Sequence, residues 1–284
     1  MDRLIITNIA ELREPNRCGI VNPSKAFRML SRIVLDITYK CSLACANCNR
    51  LCGIVPRNHE TSIQTIREFV DSSIELKKKW EHIYLSGGEP ALHGDIEGVF
   101  AELQRYIDYH KQAYGTKLLL KYFTNNHSPR ARRVLADLPE DYIVINSNKS
   151  DSNRSFKPIC VAPIDLGYYD DHNLRPCQEL YQCGMALNYR GYYPCALAAA
   201  IDDVLLGGEL AVKSLDEVTF ERMADILHQT CRYCGHYFEP LGYRRESQLM
   251  LSTTWERFLN DQRLAAGSGS QHRSSHERNN QLSS

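Results

Sequence analysis

The first half of the chain alternates between two hydrophobic periods. Arg32-Ile33-Val34-Leu35-Asp36-Ile37-Thr38 is a short run rich in β-branched residues and reads as a buried strand. Thr61-Ser62-Ile63-Gln64 then opens with a capping-box pattern, and Ile63, Ile66, Val70 and Ile74 recur at helical spacing, which predicts a helix to about Lys78. A second strand, His82 to Ser86, ends in Gly87-Gly88-Glu89-Pro90 and leads into a helix with Ile96, Val99, Leu103 and Ile107 in register. Lys117 to Phe123 and Tyr142 to Asn146 read as strands three and four, with a short helix near Arg130 to Ala136 between them, and Ile159 to Val161 is expected to add a further strand. The order β-α-β-α-β-α-β predicts parallel strands with right-handed crossovers.

After about Asp151 this alternation gives way to a stretch rich in Pro, Tyr, Asp and Cys, and a domain boundary is expected nearby. Cys183 to Cys195 has the pattern of a hairpin with Gly191 in its turn. Ser214-Leu215-Asp216-Glu217 is a second capping box, and Phe220, Met223, Ala224 and Leu227 line one face of the helix that delivers Cys231. From Ala265 onward there is almost no apolar residue, the composition of a disordered tail. The expected division is an N-terminal extension over 1–31, an α/β core over 32–165, a Cys-rich module over 166–262 and a disordered tail over 263–284.

Composition narrows the function. Basic and acidic residues balance at 34 each, so no overall field draws the chain to nucleic acid or to an anionic membrane. No basic stretch with an apolar h-region and no apolar run long enough to span a bilayer is found, so the cytoplasm is the expected location. In a reducing compartment, 11 cysteines point to metal or redox chemistry rather than to disulfides.

Cys41, Cys45 and Cys48 follow the end of the first strand with three and then two residues between them. That spacing brings three thiolates to three irons of a cubane and leaves the fourth iron without a protein ligand. An open position is what a metal site needs to bind and activate a reactant, here the amino and carboxylate groups of S-adenosylmethionine (SAM). A structural zinc site with Cys52 as fourth ligand is the competing interpretation.

These three cysteines, Gly87-Gly88-Glu89-Pro90 after the second strand and Thr124-Asn125-Asn126 at the end of the third resemble the radical SAM superfamily over roughly residues 33 to 150. The resemblance implies a partial TIM barrel, a [4Fe-4S] cluster on Cys41, Cys45 and Cys48, and reductive cleavage of SAM to a 5′-deoxyadenosyl radical. It also implies that Gly87, Gly88 and Glu89 meet the methionine amino group, with Ser147 as a candidate ribose contact. In the superfamily the residue before the third cysteine is usually aromatic and lies near the adenine; here it is Asn47.

Cys183, Cys195, Cys231 and Cys234 resemble the shortened auxiliary-cluster extension, or twitch domain, of the SPASM group, which implies an auxiliary [4Fe-4S] cluster. Zinc is the alternative there, and Cys177 competes with Cys183 as first ligand. Cys160 and Cys177 are candidate hydrogen-atom donors, and His93 is a candidate for shaping a substrate pocket. A fully ligated auxiliary cluster suits electron acceptance, so oxidation of a small molecule is the expected reaction. Relatives with such a cluster include an aminocyclitol dehydrogenase, similar in size and cysteine layout. Peptide maturation, radical epimerisation and a non-catalytic metal-binding scaffold are the alternatives. The expected partners are a small-molecule or peptide substrate and an electron donor such as flavodoxin or ferredoxin.

Overall fold

A computed structural model describes residues 3–5, 30–54, 58–146, 157–167, 169, 177–237 and 249–262. Ser147, Cys18 and the expected tail over 263–284 lie outside the described residues. Four parallel strands, β2 (Arg32–Thr38), β3 (His82–Gly87), β4 (Leu119–Thr124) and β5 (Tyr142–Asn146), form most of a six-stranded sheet. The sheet is completed by β6 (Met185–Asn188), parallel to β2, and β7 (Gly191–Tyr193), antiparallel to β6, in the order β5-β4-β3-β2-β6-β7. A separate parallel pair joins β1 (Arg3–Ile5) to β8 (Leu249–Leu251). The Cys-rich half therefore extends the same sheet as the first half, and buried residues of both share one apolar core.

Local chemistry explains the elements. β2 is buried along nearly its whole length because neighbouring strands flank it and elements cover both faces, which is why it reads as a continuous apolar run. Helix α1 (Ile63–Glu75) starts where the Ser62 hydroxyl accepts from Thr65 N, and buries Ile66, Phe69 and Val70. Trp80 fills the core behind it, its indole N–H satisfied by Ser73 Oγ at 3.0 Å. Helix α2 (Ile96–Tyr114) is capped by Asp95 and stopped by Gly115 in the left-handed region, and α3 (Pro129–Ala136) starts on Ser128 with Pro129 in its first turn. Further on come α4 (Gln178–Gln182), α5 (Ala196–Ile201), α6 (Phe220–Thr230) and a last helix, α7, over 253–262.

Three sequence expectations are corrected. Ile159 to Val161 is not a strand but a fully buried irregular segment. Its backbone is engaged elsewhere, since Gly235 N donates to Ile159 O and Ser252 N to Cys160 O. The capping pattern at Ser214 does not start a helix: Val218 N donates back to Leu215 O to close a turn, and α6 begins on Thr219, whose hydroxyl accepts from Arg222 N. In the hairpin the turn is Tyr189-Arg190, closed by Asn188 Oδ1 accepting from Arg190 N, and Gly191 opens β7 instead.

Candidate functional site

The loop that carries Cys41, Cys45 and Cys48 leaves the C-terminal end of β2, and the Gly87 to Pro90 turn leaves the same end of β3. In open parallel sheets these strand ends are where ligands bind. Turn and loop are joined through backbone: Gly88 N donates to Thr38 O at 2.7 Å and Glu89 N to Lys40 O at 2.8 Å. A Cβ on Gly87 would lie 2.2 Å from Thr38 O, and one on Gly88 would lie 2.3 Å from Lys40 O. Gly87 also has φ +133°. The two glycines are thus required by the approach of the turn to the cysteine loop itself. Within the loop, Cys48 N donates to Cys45 O and Leu51 N to Cys48 O, and all three cysteines are half-buried.

Glu89 is held by partners from β4 and from its own turn. Its side chain is fully buried and accepts from Thr124 Oγ1 at 3.0 and 3.1 Å, from Asn125 N at 2.7 Å and from Ala91 N at 3.3 Å. The carboxylate pins the end of β4 to the turn after β3. Asn125 then reaches the cysteine loop, its Nδ2 lying 3.5 Å from Cys41 Sγ and 3.5 Å from Ser42 Oγ.

A cavity of about 300 Å³ opens beside these strand ends. Gly87, Gly88, Thr124 and Asn125 line it together with Arg50, Glu179 and Cys183. Arg50, two residues past Cys48, is held by the fully buried Asp36 of β2 through Nε and Nη2 contacts of 3.1 to 3.2 Å. Burial works against the guanidinium charge, but the Asp36 carboxylate beside it raises its pKa further. Burial pushes the Cys183 thiol up to about 12, the nearby Glu179 charge adding to the effect. This thiol donates to Glu179 Oε2 at 3.6 Å.

The other Cys-rich group gathers around a second, narrow cavity of about 20 Å³, lined by Cys177, Cys195, Cys231 and Cys234. Cys177 caps the start of α4, Cys195 the start of α5, where its sulfur accepts from Ala198 N, and Cys231 and Cys234 follow α6 in a turn closed by Cys234 N donating to Cys231 O. Burial pushes the Cys177 thiol up to about 11 and Cys195 to about 12. It carries Cys231 and Cys234 well above the ordinary thiol value, and both feel Cys177 and Cys195 as neighbours. The set brought together therefore contains Cys177, whereas Cys183, named as a ligand by the sequence reading, faces the larger cavity. Among the described residues no three Cys, His, Asp or Glu side chains converge as a ready-made site for a metal ion. The chemistry of the donors nonetheless suits a metal cluster, because burial keeps these four thiols neutral until a metal cation takes the place of their protons and offsets the thiolate charge.

The remaining candidates have structural partners. Asn47 is buried and its Oδ1 accepts from Met250 N at 3.3 Å, tying the cysteine loop to β8. His93 is buried, with Nε2 2.9 Å from Thr61 O and Nδ1 accepting from Asp95 N. Cys52 Sγ contacts Arg50 O at 3.8 Å. Cys160 is fully buried, its thiol pushed well up by burial, and lines neither cavity. Sequence reasoning missed Arg50, Asp36 and Glu179. A buried Asp inside an apolar strand, with an Arg shortly after the cysteines, was the available signal for the first two.

No family model and no curated protein matches the sequence. Among solved structures, the chain aligns with the crystal structure of BtrN in complex with AdoMet and 2-DOIA, at 13% identity and a TM-score of 0.40, covering 70% of this chain and 82% of that one. Among the described residues, no helix is long and apolar enough to cross a membrane.

Proposed function

We propose that the chain is a radical SAM enzyme that oxidises a small polar molecule. Cys41, Cys45 and Cys48 would hold a [4Fe-4S] cluster, and SAM would lie in the cavity against Gly87 and Gly88. Cys177, Cys195, Cys231 and Cys234 would hold an auxiliary [4Fe-4S] cluster. When bound, these groups supply a one-electron reductant for SAM, radical abstraction of hydrogen from carbon, and an acceptor for the electron that the substrate gives up. The observation that carries this reading is the three-cysteine loop at the C-terminal end of β2, braced by the Gly-Gly turn and by Asn125 beside a cavity of about 300 Å³.

The chain's own residues supply the rest. Gly87 and Gly88 are part of the cavity wall, and Arg50 and Glu179 offer fixed charges that can orient a hydroxyl- or amine-bearing substrate. Helix α4 borders both cavities, with Leu180 lining the thiol one and Glu179 the other, which supports passage of an electron to the auxiliary site. An external donor such as flavodoxin or ferredoxin completes the proposal. Its test is anaerobic reconstitution with SAM, a reductant and candidate polyols or amino-polyols, read by mass spectrometry. A product two hydrogens lighter supports oxidation; deuterium taken from solvent into an unoxidised product would overturn it in favour of epimerisation.

A further inference from the structure

We propose that Asn125 tunes the reduction potential of the site formed by Cys41, Cys45 and Cys48, and that Glu89 is the positioning residue that sets it there. The inference rests on the iron–sulfur reading of that loop. The orientation of the Asn125 amide follows from its surroundings. Oδ1 accepts from His127 N at 2.9 Å, so the other end of the amide, Nδ2, is the one directed at Cys41 Sγ. The backbone of the same residue is fixed as well, since Asn125 N donates to Glu89 Oε2, and Asn126 N donates to the Thr124 hydroxyl, which itself donates to Glu89. Asn125 is 5% exposed and Glu89 is fully buried, so water does not compete strongly for these bonds.

An N–H directed at a ligand sulfur stabilises the more negatively charged, reduced form of a cluster more than the oxidised form. Asn125 therefore makes the site easier to reduce. Glu89 acts at one remove: it does not line the cavity, but without it the end of β4 loses the anchor that aims Asn125 at Cys41.

The test is a redox titration, followed by electron paramagnetic resonance, of the anaerobically reconstituted chain and of Asn125→Ala and Asn125→Asp. Iron content should stay normal. For Asn125→Ala the reduction equilibrium should move roughly tenfold toward the oxidised form, which is about 59 mV for one electron. Asn125→Asp should move it further in the same direction, since a carboxylate beside the sulfur repels the added charge. Unchanged potentials with normal iron in both variants would overturn this proposal alone. Loss of the iron site in both would overturn it too, by making Asn125 an assembly residue. A wild-type chain that binds no iron on the three cysteines would instead remove the radical SAM reading, and this inference with it.

Discussion

The two cysteine groups are built in opposite ways. Cys41, Cys45 and Cys48 sit on one loop whose backbone is tied to the adjacent Gly87-Gly88 turn, so sequence spacing alone keeps them on one short segment. Cys177, Cys195, Cys231 and Cys234 come from the starts of two helices and a turn after a third, and only the fold gathers them. The difference teaches where local motifs stop being informative. Cys177 and Cys183 flank the same short helix, α4, and a helix of 3.6 residues per turn brings its two ends to different faces. One faces the thiol cluster and the other the larger cavity.

The largest effects should come from breaking each group separately. Replacing Cys41, Cys45 and Cys48 together by Ala should abolish SAM cleavage and remove about half of roughly eight irons per chain, measured by iron analysis after anaerobic reconstitution. Cys177→Ala should remove iron from the other group, whereas Cys183→Ala should keep the full complement. The reverse pattern would return the ligand role to Cys183.

Smaller effects test the bracing of the first loop. Gly88→Ala puts a methyl group against Lys40 O and should lower stability by about 2 kcal/mol or more, read as a lower urea midpoint of the apo chain. Glu89→Gln turns an acceptor for Thr124 and Asn125 partly into a donor, and should cost about 1–3 kcal/mol of stability even without SAM. Undiminished stability with weakened SAM binding would instead assign Glu89 the direct ligand contact that the sequence resemblance implies.

The smallest effect belongs to Glu60, which takes Lys40 at 3.0 Å and the Gly94 N–H at 2.9 Å. Burial pushes its carboxyl up, but Lys40 and Gly94 prevail and hold it below the ordinary value. Its contribution is therefore present above the ordinary carboxylate pKa and lost as pH falls through the lowered folded value. Glu60→Gln should flatten that acid limb slightly in stability measured against pH, given the half-exposed Lys40 partner.

The parallel strands β2 to β5 and helices α1 to α3 were legible because hydrophobic period and caps agree along Arg32 to Asn146. The cysteine loop and the Gly-Gly turn were legible as a motif, though the reason for the glycines was not: the surface they approach is the cysteine loop, and no local pattern encodes that contact. The segment at Ile159 misled because a fully buried irregular stretch has the same apolar run as a strand, and only its distant partners Gly235 and Ser252 tell them apart. Asp36 and Arg50 form a pair across 14 positions, and the cavity that Arg50 lines is shared with the distant Glu179 and Cys183, which no local pattern links to it.

The central claim is that the loop at the end of β2 cleaves SAM beside the cavity of about 300 Å³. Its most direct test incubates the anaerobically reconstituted chain with SAM and dithionite and measures 5′-deoxyadenosine by mass spectrometry. The account predicts 5′-deoxyadenosine from the wild-type chain and none once Cys41, Cys45 and Cys48 are replaced. Intact SAM over a chain with its full iron complement, or zinc on those three cysteines in place of iron, would contradict it.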